Sequence, residues 1–300
     1  MENNRNATLG RVALLMTTLI WGSSFVILKS TLDSMPALWV LAMRFSGAAV
    51  LMALIGIRQF RNFTWAYLKY GAILGGVLFS AYVLQTYGLA YTTPAKNAFL
   101  TATYCVIVPF LWWAFIKKRP DRYNTMAAFI CLLGMAFVSL GGDLTVNIGD
   151  VLTMCCGFFY ALHIIVTARA VETCNVVLLS IFQFLCAAVL CWIAAPLVSA
   201  FPQAVPASAW ISVAYLCVMC TGVCFLLQSY GQKYTPPQST AIILTLESVF
   251  GTVVSLIFYH EQITLKVAAG FALIFVSVII SETKLSFLHR EKVPVPEHVK

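Results

Sequence analysis

Charge is what this chain has least of: 10% of its 300 residues are Asp, Glu, Lys or Arg, where a soluble domain carries roughly a quarter. That scarcity excludes a protein whose whole surface is solvated by water. A phosphate-cradling GxxxxGK[ST] loop is absent, which leaves no nucleotide-driven engine. The HExxH metal motif is also absent and the four histidines are scattered, which argues against an integral membrane enzyme. Cysteine is plentiful at ten residues, yet all except Cys174 fall within apolar runs, so no disulfide framework is expected. Cys217, Cys220 and Cys224 share one helical face but have no histidine or acid near them in sequence, and they read as small packing residues. Neither a metal nor a cofactor is called for.

What the chain does have is long apolar runs, with hydrophobic residues at 61%. Ten runs of about 17 to 23 residues are each long enough to cross a hydrocarbon core of about 30 Å as a helix. They lie at Val12 to Leu28, Ala37 to Gly56, Tyr70 to Ala90, Asn97 to Ile116, Thr125 to Gly141, Val151 to Ala168, Val176 to Val198, Trp210 to Gln228, Ser239 to Tyr259 and Leu265 to Ser281. The runs are too long and too uniformly apolar for barrel strands, so the expected fold is an all-α integral membrane protein of ten transmembrane helices. Residues 282–300, with Pro294 and Pro296 among charges, read as a tail.

The net charge of +8 follows topology rather than nucleic acid. With the amino terminus in the cytoplasm, fifteen of the nineteen lysines and arginines fall inside, three (Lys29, Lys96, Lys266) fall outside, and Arg44 lies within a span. That bias predicts a multi-pass protein of the plasma (cell inner) membrane with both termini cytoplasmic. Its partners are then the lipid bilayer and a small-molecule substrate. Nothing in the sequence fixes the oligomeric state.

The chain also repeats itself. QTYGLAYTTP at Gln85 to Pro94 returns as QSYGQKYTPP at Gln228 to Pro237. Residues 1–142 and 143–281 therefore read as two five-helix repeats, and because five is odd, the second must enter the membrane inverted. The loop charges agree: KKRPDR follows span 4, while HEQIT follows span 9. Inverted repeats give a route to alternating access around a central site. The expected function is thus a secondary carrier, with coupling to a proton or other ion gradient left open. A channel or a membrane enzyme fits the duplication less well.

Ionisable residues inside spans are informative because each costs about 2.5–3.5 kcal/mol near the bilayer centre on insertion scales. Arg44 and Glu247 are such residues. Glu247 could line the substrate path and titrate, or form a fixed structural contact; Arg44 could instead snorkel toward the nearer face. Trp21-Gly22-Ser23-Ser24 reads as a small-residue break in span 1, either opening a site at Trp21 and Ser24 or allowing close packing. Its counterpart in span 6 contains Tyr160 and His163, the latter a proton carrier or a neutral hydrogen-bonding partner. Tyr82, Gln85 and Tyr104 pair by the repeat with Phe225, Gln228 and Glu247, which makes Gln228 a further wall candidate. Pro94 and Pro237 are expected to stop helices, Lys96 to anchor at the interface, and Glu261 to help start the last span.

LIWGSSF at Leu19 to Phe25, AMRF at Ala42 to Phe45, YTTPAKNAFLTATYCVIVPF at Tyr91 to Phe110 and TLESVFGTVVSLIFYHEQIT at Thr245 to Thr264 together resemble the ten-helix drug and metabolite transporters built from two EamA domains. The resemblance implies an exporter of amino acids or related small metabolites, or a multidrug carrier of the same fold. Two positions depart from it: Lys118 stands where a glutamate often ends span 4, and Glu247 is followed by Ser248 rather than proline.

Overall fold

A computed structural model describes residues 2–117, 119–139, 147–259 and 264–284. Its helices are α1 (Glu2–Leu32), α2 (Ala37–Gly56), α3 (Trp65–Tyr91), α4 (Pro94–Thr101), α5 (Tyr104–Ile116), α6 (Arg122–Ser139), α7 (Ile148–Ala170), α8 (Val176–Val198), α9 (Ala207–Tyr215), α10 (Cys224–Tyr234), α11 (Pro237–Leu244), α12 (Leu246–Tyr259) and α13 (Leu265–Thr283). A π-helical stretch, Leu216–Val223, joins α9 to α10. Lys118 and Glu261 lie outside the described residues.

Among the described residues, seven helical segments are long and apolar enough to cross a membrane: Arg5–Leu32, Ala37–Asn62, Trp65–Tyr91, Pro94–Ile116, Ile148–Ala170, Val176–Val198 and Ala207–Tyr234. The regions of the fifth, ninth and tenth expected spans are helical and packed into the same bundle as α6, α11–α12 and α13. As far as they are described, they are not among the seven. Outward helix faces stay apolar, with Leu54, Leu197 and Ile211 each more than half exposed. A helix that is hydrophobic all round suits lipid, not water.

Local chemistry sets the helix starts. Pro94 occupies the first turn of α4, where its missing N–H costs nothing, and the Thr93 side chain accepts from the Lys96 amide. Asn147 and Asp150 form a reciprocal capping box on α7, and the Asn175 side chain caps α8. The second proline of the repeat, Pro237, opens α11 in the same way.

Span 1 corrects an expectation. Trp21-Gly22-Ser23-Ser24 makes no break, since α1 runs uninterrupted through it. A Cβ at Gly22 would stand 2.6 Å from Phe250 Cβ and 2.8 Å from the Gly251 amide nitrogen. The small residue therefore serves the close crossing of α1 over α12. Interruptions occur elsewhere, at Ala102–Thr103 between α4 and α5 and at Thr245 between α11 and α12. At both, helical bonding tightens to i→i+3: Val106 N–H donates to Thr103 O and Ser248 N–H to Thr245 O.

Candidate functional site

All ten candidate residues line one central cavity of about 30 Å³. Helix α1 contributes Trp21 and Ser24, α2 contributes Arg44, and α3 contributes Tyr82 and Gln85. Tyr104 comes from the start of α5, Tyr160 and His163 from α7, Gln228 from α10, and Glu247 from the first turn of α12. Phe225 completes an aromatic wall, with its ring centroid 5.3 Å from Trp21 and 6.2 Å from Tyr82. Tyr160 packs edge-on to Tyr82 at 5.7 Å. The lining matches that of small-molecule pockets, which are apolar and aromatic with a few placed polar groups.

Arg44 does not snorkel. It is 2% exposed and turned inward, and it owes this to the π-helical stretch. There the Thr221 hydroxyl donates to the Leu216 carbonyl five residues back, at 2.9 Å, and accepts in turn from Arg44 Nε. Arg44 Nη2 donates to Tyr82 Oη at 3.2 Å and to the Cys220 carbonyl at 3.3 Å. The guanidinium also sits 4.6 Å from the Tyr82 ring centroid, a cation–π distance. The Cys220 carbonyl accepts a second bond, from Trp21 Nε1 at 2.7 Å. A single wide turn thus orients both Arg44 and Trp21, as π-bulges commonly do at functional sites.

Glu247 is 4% exposed, and its Oε1 accepts from the Tyr104 hydroxyl at 3.1 Å. These partners lie 143 positions apart. Ser24 turns back on its own helix and donates to the Trp21 carbonyl at 2.7 Å. Gln85 is fully engaged: Nε2 donates to Thr101 Oγ1 at 3.2 Å, and Oε1 accepts from Tyr160 Oη at 2.8 Å. Gln228 reaches the same cavity, but its Oε1 has no partner among the described residues.

His163 is bonded at both ring nitrogens, to Gln183 Oε1 at 3.0 Å and to Thr167 Oγ1 at 3.5 Å. Because a carboxamide oxygen only accepts, Nε2 carries a proton, while the threonine hydroxyl can serve Nδ1 in either role. Both partners are uncharged. The sequence reading missed Gln183, Thr221 and Thr101. Gln183 had one available signal: it stands as far along α8 from its start as Arg44 does along α2.

Lys96 lies away from the cavity and is ion-paired rather than simply anchored. Its Nζ is 2.7 Å from Asp150 Oδ2, whose carboxylate also accepts from Thr92 Oγ1 and the Asn147 amide. Nearby, Lys29 Nζ donates to the carbonyls of Leu89, Ala90 and Thr92, which satisfies the end of α3 and ties α1 to it. The ten cysteines are all free thiols. Cys220 and Cys224 lie against carbonyls of α1, at Ile20 and Thr17.

Comparison with known proteins agrees with this architecture. The model of the EamA-like transporter family matches twice, at residues 8–140 and 147–283. An uncharacterized transporter of Archaeoglobus fulgidus is 30% identical over 277 residues, covering 90% of this chain and 84% of the relative. The uncharacterized transporter YoaV of Bacillus subtilis is 20% identical and covers 88% of this chain and 93% of its own length. A crystal structure superposes with a TM-score of 0.77 over 93% of this chain and 98% of the other, at 15% identity, a likeness of fold.

Proposed function

The chain belongs to the EamA-like transporter family and is a multi-pass membrane transporter, and on that premise we propose that it exports amino acids or related small metabolites by alternating access through the central cavity. The observation that carries this reading is the burial of one guanidinium, Arg44, and one carboxylate, Glu247, in the same aromatic-walled cavity. A zwitterion offers a partner to each. The aromatic faces suit an apolar side chain.

Alternating access asks for two halves that can exchange conformations, and the packing supports that division. If α1 to α6 correspond in order to α7 to α13, with α4–α5 matched to α11–α12, the principal contacts exchange among themselves. The α1 contact with α10 has its counterpart in α7 with α3, and α1 with α12 in α7 with α5; α2 with α8 and α6 with α13 map onto themselves. Two glycine crossings follow the same rule, Gly10 against Gly231 and Gly149 against Gly88. Tyr104 and Glu247, 143 positions apart, touch. Residues related by a twofold can meet only near its axis, so their contact suits a cavity centred on that axis. On this reading ten helices cross as two inverted repeats, 1–142 and 143–281, in the plasma (cell inner) membrane with both termini cytoplasmic.

Coupling to protons would fall to Glu247, the one carboxylate among the described residues that line the cavity. The test is counterflow of a labelled amino-acid mixture in proteoliposomes, with and without a pH gradient, comparing the native chain with Glu247→Gln. Saturable, counterflow-stimulated uptake that loses its pH response in the variant is the expected result. A variant transporting normally at every pH removes the coupling role. Uptake of no component removes the amino-acid assignment.

A further inference from the structure

We propose that Gln228 is the specificity-determining residue for an amino-bearing cargo, its side-chain carbonyl accepting a cargo N–H beside the Glu247 carboxylate; the proposal rests on the carrier reading above. The argument comes from an asymmetry between two otherwise matched residues. Gln85 and Gln228 hold the same place in the repeated motif and face the same cavity. Gln85 has both ends of its carboxamide bonded, by Thr101 and Tyr160. Gln228 Oε1 has no partner among the described residues, although the residue is only 2% exposed.

Neither of the groups that bond Gln85 has a free donor at the matching place beside Gln228. Thr101 is replaced at the 143-residue offset by Leu244, which offers no hydrogen bond. Tyr160 has as its counterpart in span 1 Trp21, whose only donor is already given to the Cys220 carbonyl. A buried carbonyl without a donor is costly to maintain, and each such exception in a native fold asks for an explanation; at a cavity wall a bound donor supplies one. A carboxamide oxygen can be satisfied only by a donor. The acid on the neighbouring wall, Glu247, spends one oxygen on Tyr104. Two acceptors converging from α10 and α12 suit a head group with several N–H donors and positive charge, the description of a primary ammonium. A carboxylate head offers neither.

The test has two arms. The first needs no cargo: thermal unfolding of the detergent-solubilised protein, comparing Gln85→Leu with Gln228→Leu. Gln85→Leu is expected to melt lower, because it strips partners from Thr101 and Tyr160, while Gln228→Leu keeps or raises the native melting temperature. An equal fall for both variants overturns the proposal, since it would show that the Gln228 carboxamide is engaged within the fold.

The second arm measures binding, by calorimetry, of three probes that share a phenyl body: phenethylamine, L-phenylalanine and 3-phenylpropionate. The native chain should bind both amines more tightly than the carboxylate. Gln228→Leu should weaken the amines about tenfold, the order expected for one lost hydrogen bond to a charged group, and leave 3-phenylpropionate unchanged. Amine binding unaffected by the substitution, or a native preference for 3-phenylpropionate, overturns the assignment. Binding of neither amine overturns it too, while counterflow of some other solute by the native chain would leave the carrier reading standing.

Discussion

Replacing Gly231 with alanine adds one methyl group, and the structure says where it must go. The new Cβ would lie 2.6 Å from Leu14 Cγ and 2.8 Å from the Gly10 carbonyl, where ordinary contact begins near 3.4 Å. Neither neighbour is a flexible side-chain tip, so α10 and α1 must separate by several tenths of an ångström. Overpacking of this kind costs about 1–3 kcal/mol. Gly149→Ala meets the same obstruction at the matching crossing, 2.7 Å from the Gly88 carbonyl and 2.8 Å from Tyr91 Cβ. Gly76 supplies the control: it is helical and nothing lies within 4 Å of its Cβ position. There alanine should stabilise by about 0.5–1 kcal/mol through backbone entropy and helix propensity. Equilibrium unfolding in mixed micelles should therefore rank Gly76→Ala above native and both crossing variants below it. The crossings share no neighbour, so the double variant should fall by the sum, within about 0.5 kcal/mol. Crossing variants as stable as the native chain would refute the claim that these glycines set the helix spacing.

Tyr104→Phe keeps the ring but leaves Glu247 Oε1 without its donor, and should cost about 1–3 kcal/mol in the same assay; no loss would mean that the bond is not formed. Lys96→Met should cost about 3 kcal/mol by stranding Asp150, whose side chain is 3% exposed. The bonds to Asp150 from Thr92 and the Asn147 amide place the expectation at the low end of the range for a broken buried pair. Adding Asp150→Asn should recover more than half of the loss, and failure to recover would show that the lysine acts through some other contact.

The repeated motif was legible because each of its residues meets the same physical demand twice. Its glutamine faces the cavity, its glycine lets helices cross, and its proline opens the next helix. Arg44 and Glu247 were legible because burial of charge in a membrane is expensive wherever it occurs. Span 1 kept two readings in the sequence because a run of small residues looks the same whether it loosens a helix or admits a neighbour, and only the position of α12 decides for the second. The π-helical turn at Leu216–Val223 left no mark that composition could detect, since its residues are as apolar as those around it. It nonetheless aims Arg44 and Trp21. The inward turn of Arg44 could not be read from span 2 alone, because its partners Thr221 and Cys220 lie more than 170 positions away.

The account stands or falls on whether one cavity is reached from each side of the membrane in turn. Ser24→Cys, in a chain whose ten native cysteines have been replaced and which still supports counterflow, places a single thiol in the cavity wall. Sealed vesicles would be treated with a membrane-impermeant maleimide from either face. The account predicts labelling from both faces, slowed from both by a saturating counterflow substrate. Labelling from one face only, in a chain that continues to transport, would contradict it.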